Sequence, residues 1–134
     1  MQGRRISSGS KFEELAGYSR AVVLPDPGGD WVLVSGTTGY DYATGTISDD
    51  VAEQTRQVFR NIERALAEAG ASLKDVVRST VIFPDPDDFF DHIVPVLKEY
   101  LGEALPTSTA FVAPLVRDEI RVEIEVTARK APGA

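Results

Sequence analysis

The run 122-VEIEVTA-128 alternates Val122, Ile124 and Val126 with Glu123, Glu125 and Thr127. Successive side chains of a strand point to opposite faces, so a strand here carries its apolar set on one face and both carboxylates on the other. Such a face suits either a solvated surface or a cleft in which one acid moves protons as a general base. Other chemistry-bearing residues are few. His92 is the single histidine, so a Ser-His-Asp arrangement has nowhere else to form, and it stands one step off an apolar stripe, where a helix faces solvent. The acids of 85-DPDD-88, with Asp91, form a possible cation site, but acids and prolines at a helix start also cap its free amides and complement its dipole. The glycines of 25-PDPGGDWVLVSGTTG-39 have neither P-loop spacing nor a dinucleotide fingerprint opening a helix, and they read as turn residues. With no cysteine in the chain, disulfides, thiolate metal sites and a cysteine nucleophile are excluded, which fits a reducing compartment and makes the cytoplasm the expected location.

Local patterning shows what must position these groups. Tyr18 to Leu24 and 31-WVLVSG-36 read as strands joined by the turn-rich 25-PDPGGD-30, an antiparallel hairpin. Ser48 or Asp49 is placed to cap a helix opening at about Val51, where Val51, Thr55, Val58, Phe59, Ile62, Leu66 and Ala69 recur at helical spacing. Gly70 stops it, and 76-VVRSTVIF-83 is β-branched enough for a buried strand. A second helix is expected from 84-PDPDDF-89 onward, kinked or delayed by Pro95. Further strands are expected at Ser108 to Val112 and Arg121 to Ala128. This order predicts an α+β domain with helices on one face of a mixed sheet. At 134 residues and 43% apolar composition, residues 1–134 make one domain, with 1–12 and 129–134 as flexible ends. The net charge of -7 and scattered basic residues argue against nucleic acid as a partner. No run approaches the ~18 apolar residues of a membrane span, and the start lacks the apolar stretch of a secretory signal.

The series Gly17-Tyr18, 33-LVSGTTG-39, the helical segment Thr55 to Asn61, 68-EAGASLKDVV-77, 106-PTST-109 and 122-VEIEVTA-128 resembles the RidA/YjgF family over Tyr18 to Ala128. The resemblance implies a chorismate-mutase-like α+β subunit, a mixed sheet with two helices on one face, assembled as a homotrimer with ligand clefts between subunits. It implies hydrolysis of enamines and imines such as 2-aminoacrylate to a keto acid and ammonia, with no metal or organic cofactor. Carried over residue by residue, Glu123 is the catalytic acid, and Tyr18, Ser35 and Gly36 line the substrate. Ser108, a candidate ligand contact through its hydroxyl, stands where the family carries an arginine that clamps the substrate carboxylate. A hydroxyl in place of that charged fork forfeits about 1.5 to 3 kcal/mol, a ten- to hundredfold weaker grip on a carboxylate. Efficient 2-aminoacrylate hydrolysis is therefore not expected. Arg117, in 113-APLVRDE-119, and Arg121 are the cations within reach of a cleft, and Arg117 is taken as the candidate ligand contact. The expected ligand is a small molecule. A binding module without turnover and an interaction protein on the same trimeric scaffold are the alternatives to an imine hydrolase.

Overall fold

The structure, a computed structural model, describes residues 3–132. Its elements in chain order are β1 (Arg4–Ile6), α1 (Lys11–Ala16), β2 (Ala21–Leu24), β3 (Trp31–Thr37), β4 (Tyr40–Asp41), β5 (Thr46–Ile47), α2 (Val51–Glu68), β6 (Val76–Phe83), α3 (Val94–Leu101), β7 (Thr107–Val112) and β8 (Glu123–Arg129). Six strands form one sheet in the order β1-β2-β3-β8-β6-β7, and β4 and β5 make a separate ribbon. Only β6 and β7 pair in parallel; the other neighbours in the large sheet are antiparallel. The mixed α+β sheet expected from the sequence is present.

The core lies between one sheet face and the apolar stripes of α2 and α3. Val58, Phe59, Ile62 and Leu66 of α2 meet Val32, Val34, Val81, Ile124 and Val126 of the strands, all fully or almost fully buried. Phe59 stacks on Tyr100 with ring centroids 4.8 Å apart. Asp50 caps α2, its carboxylate accepting from the Glu53 amide at 2.9 Å, one or two residues later than the Ser48 or Asp49 expected. Pro95 falls in the first turn of α3, where its missing N–H costs nothing, so the regular helix begins at Val94 after a wide turn over Phe89–Ile93. His92 is exposed in that turn.

The N-terminal region differs from the expectation of a flexible end over residues 1–12. Arg4–Ile6 adds an edge strand to β2, with Ile6 buried against the core, and Lys11–Ala16 forms a helix. Ser10 caps α1 by accepting from the Phe12 amide, and Gly17 ends it at φ 73°, a left-handed conformation that favours glycine. Six residues are too few for a periodic signal, but the Ser10-x-x-Glu13 spacing just before Gly17 was a cap signature. Both the Gly17 and Tyr18 amides donate to the Glu13 carbonyl, so Tyr18 is drawn into the helix end and β2 starts at Ala21 rather than Tyr18. At the other end Arg129 lies inside β8. Residues 1–2 and 133–134 of the expected flexible ends lie outside the described residues.

Candidate active site

Glu123 opens β8, and its position depends on a bulge in β3. Val34 pairs with Val126 and Thr37 with Ile124, so Ser35 and Gly36 together oppose the single residue Glu125. The extra residue turns the β3 backbone and sets Gly36 directly against the Glu123 carboxylate. A methyl group at Gly36 would meet that carboxylate, the mobile end of the Glu123 side chain, so a larger residue there would displace it. The Ser35 hydroxyl donates to the Ser19 carbonyl at 2.6 Å, and its amide donates to the Arg20 carbonyl at 2.9 Å, fastening the bulge to the chain entering β2.

The group that organises this corner is Arg20, which is 3% exposed. Its Nη1 donates to the Gly36 carbonyl at 2.8 Å and to Thr37 Oγ1 at 2.9 Å, and its Nη2 reaches the Tyr18 hydroxyl at 3.3 Å. Its Nε lies 3.5 Å from a carboxylate oxygen of Glu13, itself 5% exposed. Ser8 also donates to Glu13 through its hydroxyl, so α1 is tied to the sheet by a buried ion pair with further hydrogen bonds. The sequence reading missed Arg20 because a cation at the start of a strand usually faces water.

These residues line a cavity of about 640 Å³. Its lining includes Glu123, Glu125, Ser35 and Gly36 of the sheet, the hydroxyl-bearing Tyr18, Tyr40 and Tyr42, Phe12 of α1, and Val116 and Arg117 of the last loop. Burial raises the Glu123 carboxyl above the usual carboxylate range; Arg20 pulls it back down, and neighbouring Glu125 pushes it further up. Among the described residues no group donates a hydrogen bond to it, which leaves its oxygens free for water or a ligand. Burial also raises the Tyr40 and Tyr42 hydroxyls, keeping both protonated donors. Among the described residues, the Tyr40 hydroxyl and Arg20 Nε are buried without a hydrogen-bond partner.

Two buried amides of α2 hold the loops that complete the cavity. Gln54 donates to the carbonyls of Ser48 at 2.7 Å and Glu119 at 2.8 Å and accepts from the Arg121 amide at 3.0 Å, which also explains why β8 begins at Glu123 rather than Arg121. Asn61 donates to the carbonyls of Thr38 at 3.1 Å and Tyr40 at 2.8 Å.

Of the residues singled out from sequence, Tyr18, Ser35, Gly36, Arg117 and Glu123 therefore meet at one cavity. Ser108 does not. It lies on edge strand β7, with β6 between it and β8, and pairs through Ser79 with Val126, whereas Glu125 pairs through Thr80 with Thr109. By that register Ser108 points to the opposite sheet face from Glu123 and Glu125. Arg117 is exposed, its guanidinium 4.9 Å from the Phe12 ring centre. Arg121 is engaged elsewhere, donating to Asp88 at 2.6 Å. The acidic stretch near Asp88 serves local structure, with Asp85 accepting from the Asp87 amide.

Comparison with known proteins bears on the fold and the family. Residues 8–130 match the family described as Endoribonuclease L-PSP. A RutC family protein of Pyrococcus abyssi is 38% identical over 114 residues, covering 84% of this chain and 86% of the relative. The 2-iminobutanoate/2-iminopropanoate deaminase of Homo sapiens is 30% identical over 131 residues, covering 96% and 92%. The crystal structure of a YjgF/YER057c/UK114 family member from Mycobacterium tuberculosis superposes with a TM-score of 0.82 at 37% identity, covering 96% of this chain and 99% of that one. The chain, with its chorismate-mutase-like α+β fold, belongs to the RidA/YjgF family.

Proposed function

We propose that the protein hydrolyses a reactive imine or enamine metabolite, with Glu123 as the proton-transfer group, and that 2-aminoacrylate is a poor substrate. The observation that carries this reading is the Glu123 carboxylate: partly desolvated, without a donor among the described residues, and held against Gly36 in a cavity of ligand size. A carboxylate raised above its usual range is a better base in its ionised form and a usable acid once protonated. Glu123 takes a proton from water while the water oxygen bonds to the imine carbon. The resulting carbinolamine receives that proton on nitrogen, and as the C–N bond breaks its hydroxyl gives up a proton to Glu123, so that ammonia leaves behind a carbonyl compound. An enamine first takes a proton on carbon to become the imine. The Tyr18 hydroxyl and the bulged backbone at Ser35-Gly36 orient the ligand, and Arg117 contacts it from the rim.

The deaminase name of the human relative supports the reaction class. Ser108, in place of a carboxylate-clamping arginine, supports a substrate other than 2-aminoacrylate. A homotrimer working in the cytoplasm with small-molecule ligands is part of the proposal. Its support is the sheet face away from the helices, where Leu33 is 43% and Phe111 46% exposed in the single chain. Ser108 also favours a second reading, a ligand-binding protein without turnover. Imines generated in situ by an oxidase separate the two. Ammonia release above the uncatalysed rate, lost in Glu123→Gln, is expected; ligand-induced melting shifts with no release would establish binding alone.

A further inference from the structure

We propose that Arg20 is a positioning residue for the reaction: locked by Glu13 of α1, its guanidinium fixes the Ser35-Gly36 bulge against Glu123 and supplies the buried positive charge that Glu123 faces. The inference deepens the proposed hydrolysis and rests on it for turnover, though not for the state of Glu123 itself. The groups it uses belong to one chain and lie inside it, whatever surface a neighbouring subunit covers. Arg20 is 3% and Glu13 5% exposed, and Thr37 is fully buried. Nη1 of Arg20 donates to the Gly36 carbonyl at 2.8 Å and to Thr37 Oγ1 at 2.9 Å. Thr37 passes the constraint on, its own hydroxyl donating to the Ser35 carbonyl at 2.8 Å. Both carbonyls of the bulge are therefore held by a single guanidinium, one directly and one through a hydroxyl. Nη2 reaches the Tyr18 hydroxyl at 3.3 Å, so the phenol that orients the ligand and the backbone beside Glu123 depend on the same side chain. A planar fork with fixed donor directions sets several partners at once, which a lysine ammonium does not.

The fork is itself fixed from α1. Nε lies 3.5 Å from a Glu13 carboxylate oxygen, an ion pair without a hydrogen bond, and Ser8 donates to the same carboxylate through its amide at 3.2 Å and through its hydroxyl. Among the described residues around Glu123, this pair holds the charges that are buried. Glu125 on the same strand and Arg117 on the last loop are both exposed, and water and salt screen them alike. The strands on either side add no charge, since Glu123 stands beside Gly36 of β3 and pairs with Ile82 of β6. Tyr40 and Tyr42 keep their protons. Burial raises the Glu123 carboxyl, Arg20 draws it down, and Glu125 pushes it up. Loss of the Arg20 charge therefore raises it further, whereas loss of Glu13, which offsets that charge, lowers it.

The test uses the full chain and two variants that move Glu123 in opposite directions. Arg20→Gln alone would strand Glu13 as a buried unpaired charge, so it is made together with Glu13→Gln. Glu13→Gln alone keeps the guanidinium and its bonds to Gly36, Thr37 and Tyr18. The Glu123 carboxyl is followed by NMR titration with isotope-labelled glutamate, its signal identified by its loss in Glu123→Gln. The double variant is expected to titrate at higher pH than the parent, and Glu13→Gln at lower pH. Charges of a neighbouring subunit are common to all three proteins, so the differences read the pair alone. Turnover is measured as ammonia release from the imine that an amino-acid oxidase makes from leucine. The double variant is expected to lose about tenfold in kcat with KM within about twofold of the parent, and the acid limb of its pH profile to rise with the titration. Arg20→Lys keeps the charge and loses the fork, so it is expected to titrate close to the parent and still to lose kcat. Titrations that stay in place, or move the same way in both variants, overturn the inference. A loss confined to KM also overturns it, because Arg20 would then be a ligand contact. If the double variant does not fold, an unmoved titration in Glu13→Gln is enough to overturn it. If the parent releases no ammonia while the two titrations part as expected, the hydrolase reading falls and the hold of Arg20 on Glu123 stands.

Discussion

A carboxylate drawn partly out of water is a less stable anion, and at Glu123 the folded state bears that cost. Because its folded pKa is raised, the folded chain holds a proton through a window just above the ordinary carboxylate value where the unfolded chain has lost it. Stability therefore falls as pH rises through that window and stays lower above it. Glu123→Gln removes the titration, so its melting temperature should exceed the parent's at neutral pH, with the difference vanishing below the carboxylate range, as a calorimetric pH series would show. The same variant should release ammonia from imines about a hundredfold more slowly, since proton transfer by a positioned group contributes on that order. An unchanged rate would remove Glu123 from the chemistry. Gly36→Ala probes the same contact from the other strand. The added methyl and the carboxylate compete for one place, and because the carboxylate is the mobile end of its side chain, the rate should fall while the urea midpoint changes little.

The bulge of β3 and the buried amides of α2 turn ordinary elements into a site. Without the extra residue at Ser35-Gly36, β3 and β8 would pair evenly and Gly36 would not lie against Glu123. Gln54 acts at longer range: it sits on the buried stripe of a helix, yet each of its polar atoms is bonded to a loop. Gln54→Ala leaves two carbonyls and one amide without partners and should cost about 3 kcal/mol, measurable as a shift of the urea midpoint. Because the loop it holds carries Arg117, ligand affinity should fall as well, while the far-UV signal of α2 persists. A variant with full stability and affinity would show that the loop holds its place without Gln54.

The large sheet has one face that α2 and α3 do not cover, and all six residues of β7 are exposed in the single chain. Val112 at 51% and Phe111 at 46% exposed are apolar side chains on an edge strand, an arrangement that a second copy of the chain would cover. Cyclic closure of three subunits would bury this surface without leaving an open edge. Light scattering at micromolar concentration should give about three times the 14.5 kDa chain mass, and a monomer would refute the assembly. Ser108→Arg tests the same scale. Within one chain its side chain faces away from Glu123, so a guanidinium there reaches a cavity only across a subunit boundary. The trimeric variant should gain at least about tenfold in 2-aminoacrylate hydrolysis, the worth of one charge-assisted hydrogen bond. A folded trimer with no gain would show that the cavity differs from an imino-acid site by more than this position.

Elements whose cues are local were readable from sequence alone. The span of β6, Val76–Phe83, the start of α2 at Val51 and the delay that Pro95 imposes before α3 follow from side-chain branching, periodicity and a missing amide proton. The alternation in 122-VEIEVTA-128 already placed both carboxylates on one face. Family membership was legible for the same reason, because it rests on short stretches with fixed spacing. The cavity was less so. Its lining comes from α1 and the chain after it, the β3 bulge with the ribbon beyond it, and the loop entering β8. Nothing in any one stretch states which of these meet. The pairing of Glu13 with Arg20 gives a cation inside the fold a partner seven residues earlier on another element. The register that turns Ser108 from Glu123 is likewise set by strand pairing across the sheet. Local patterns specify which face a residue takes on its own element, but only closure of the sheet and packing of α1 decide which faces share a space.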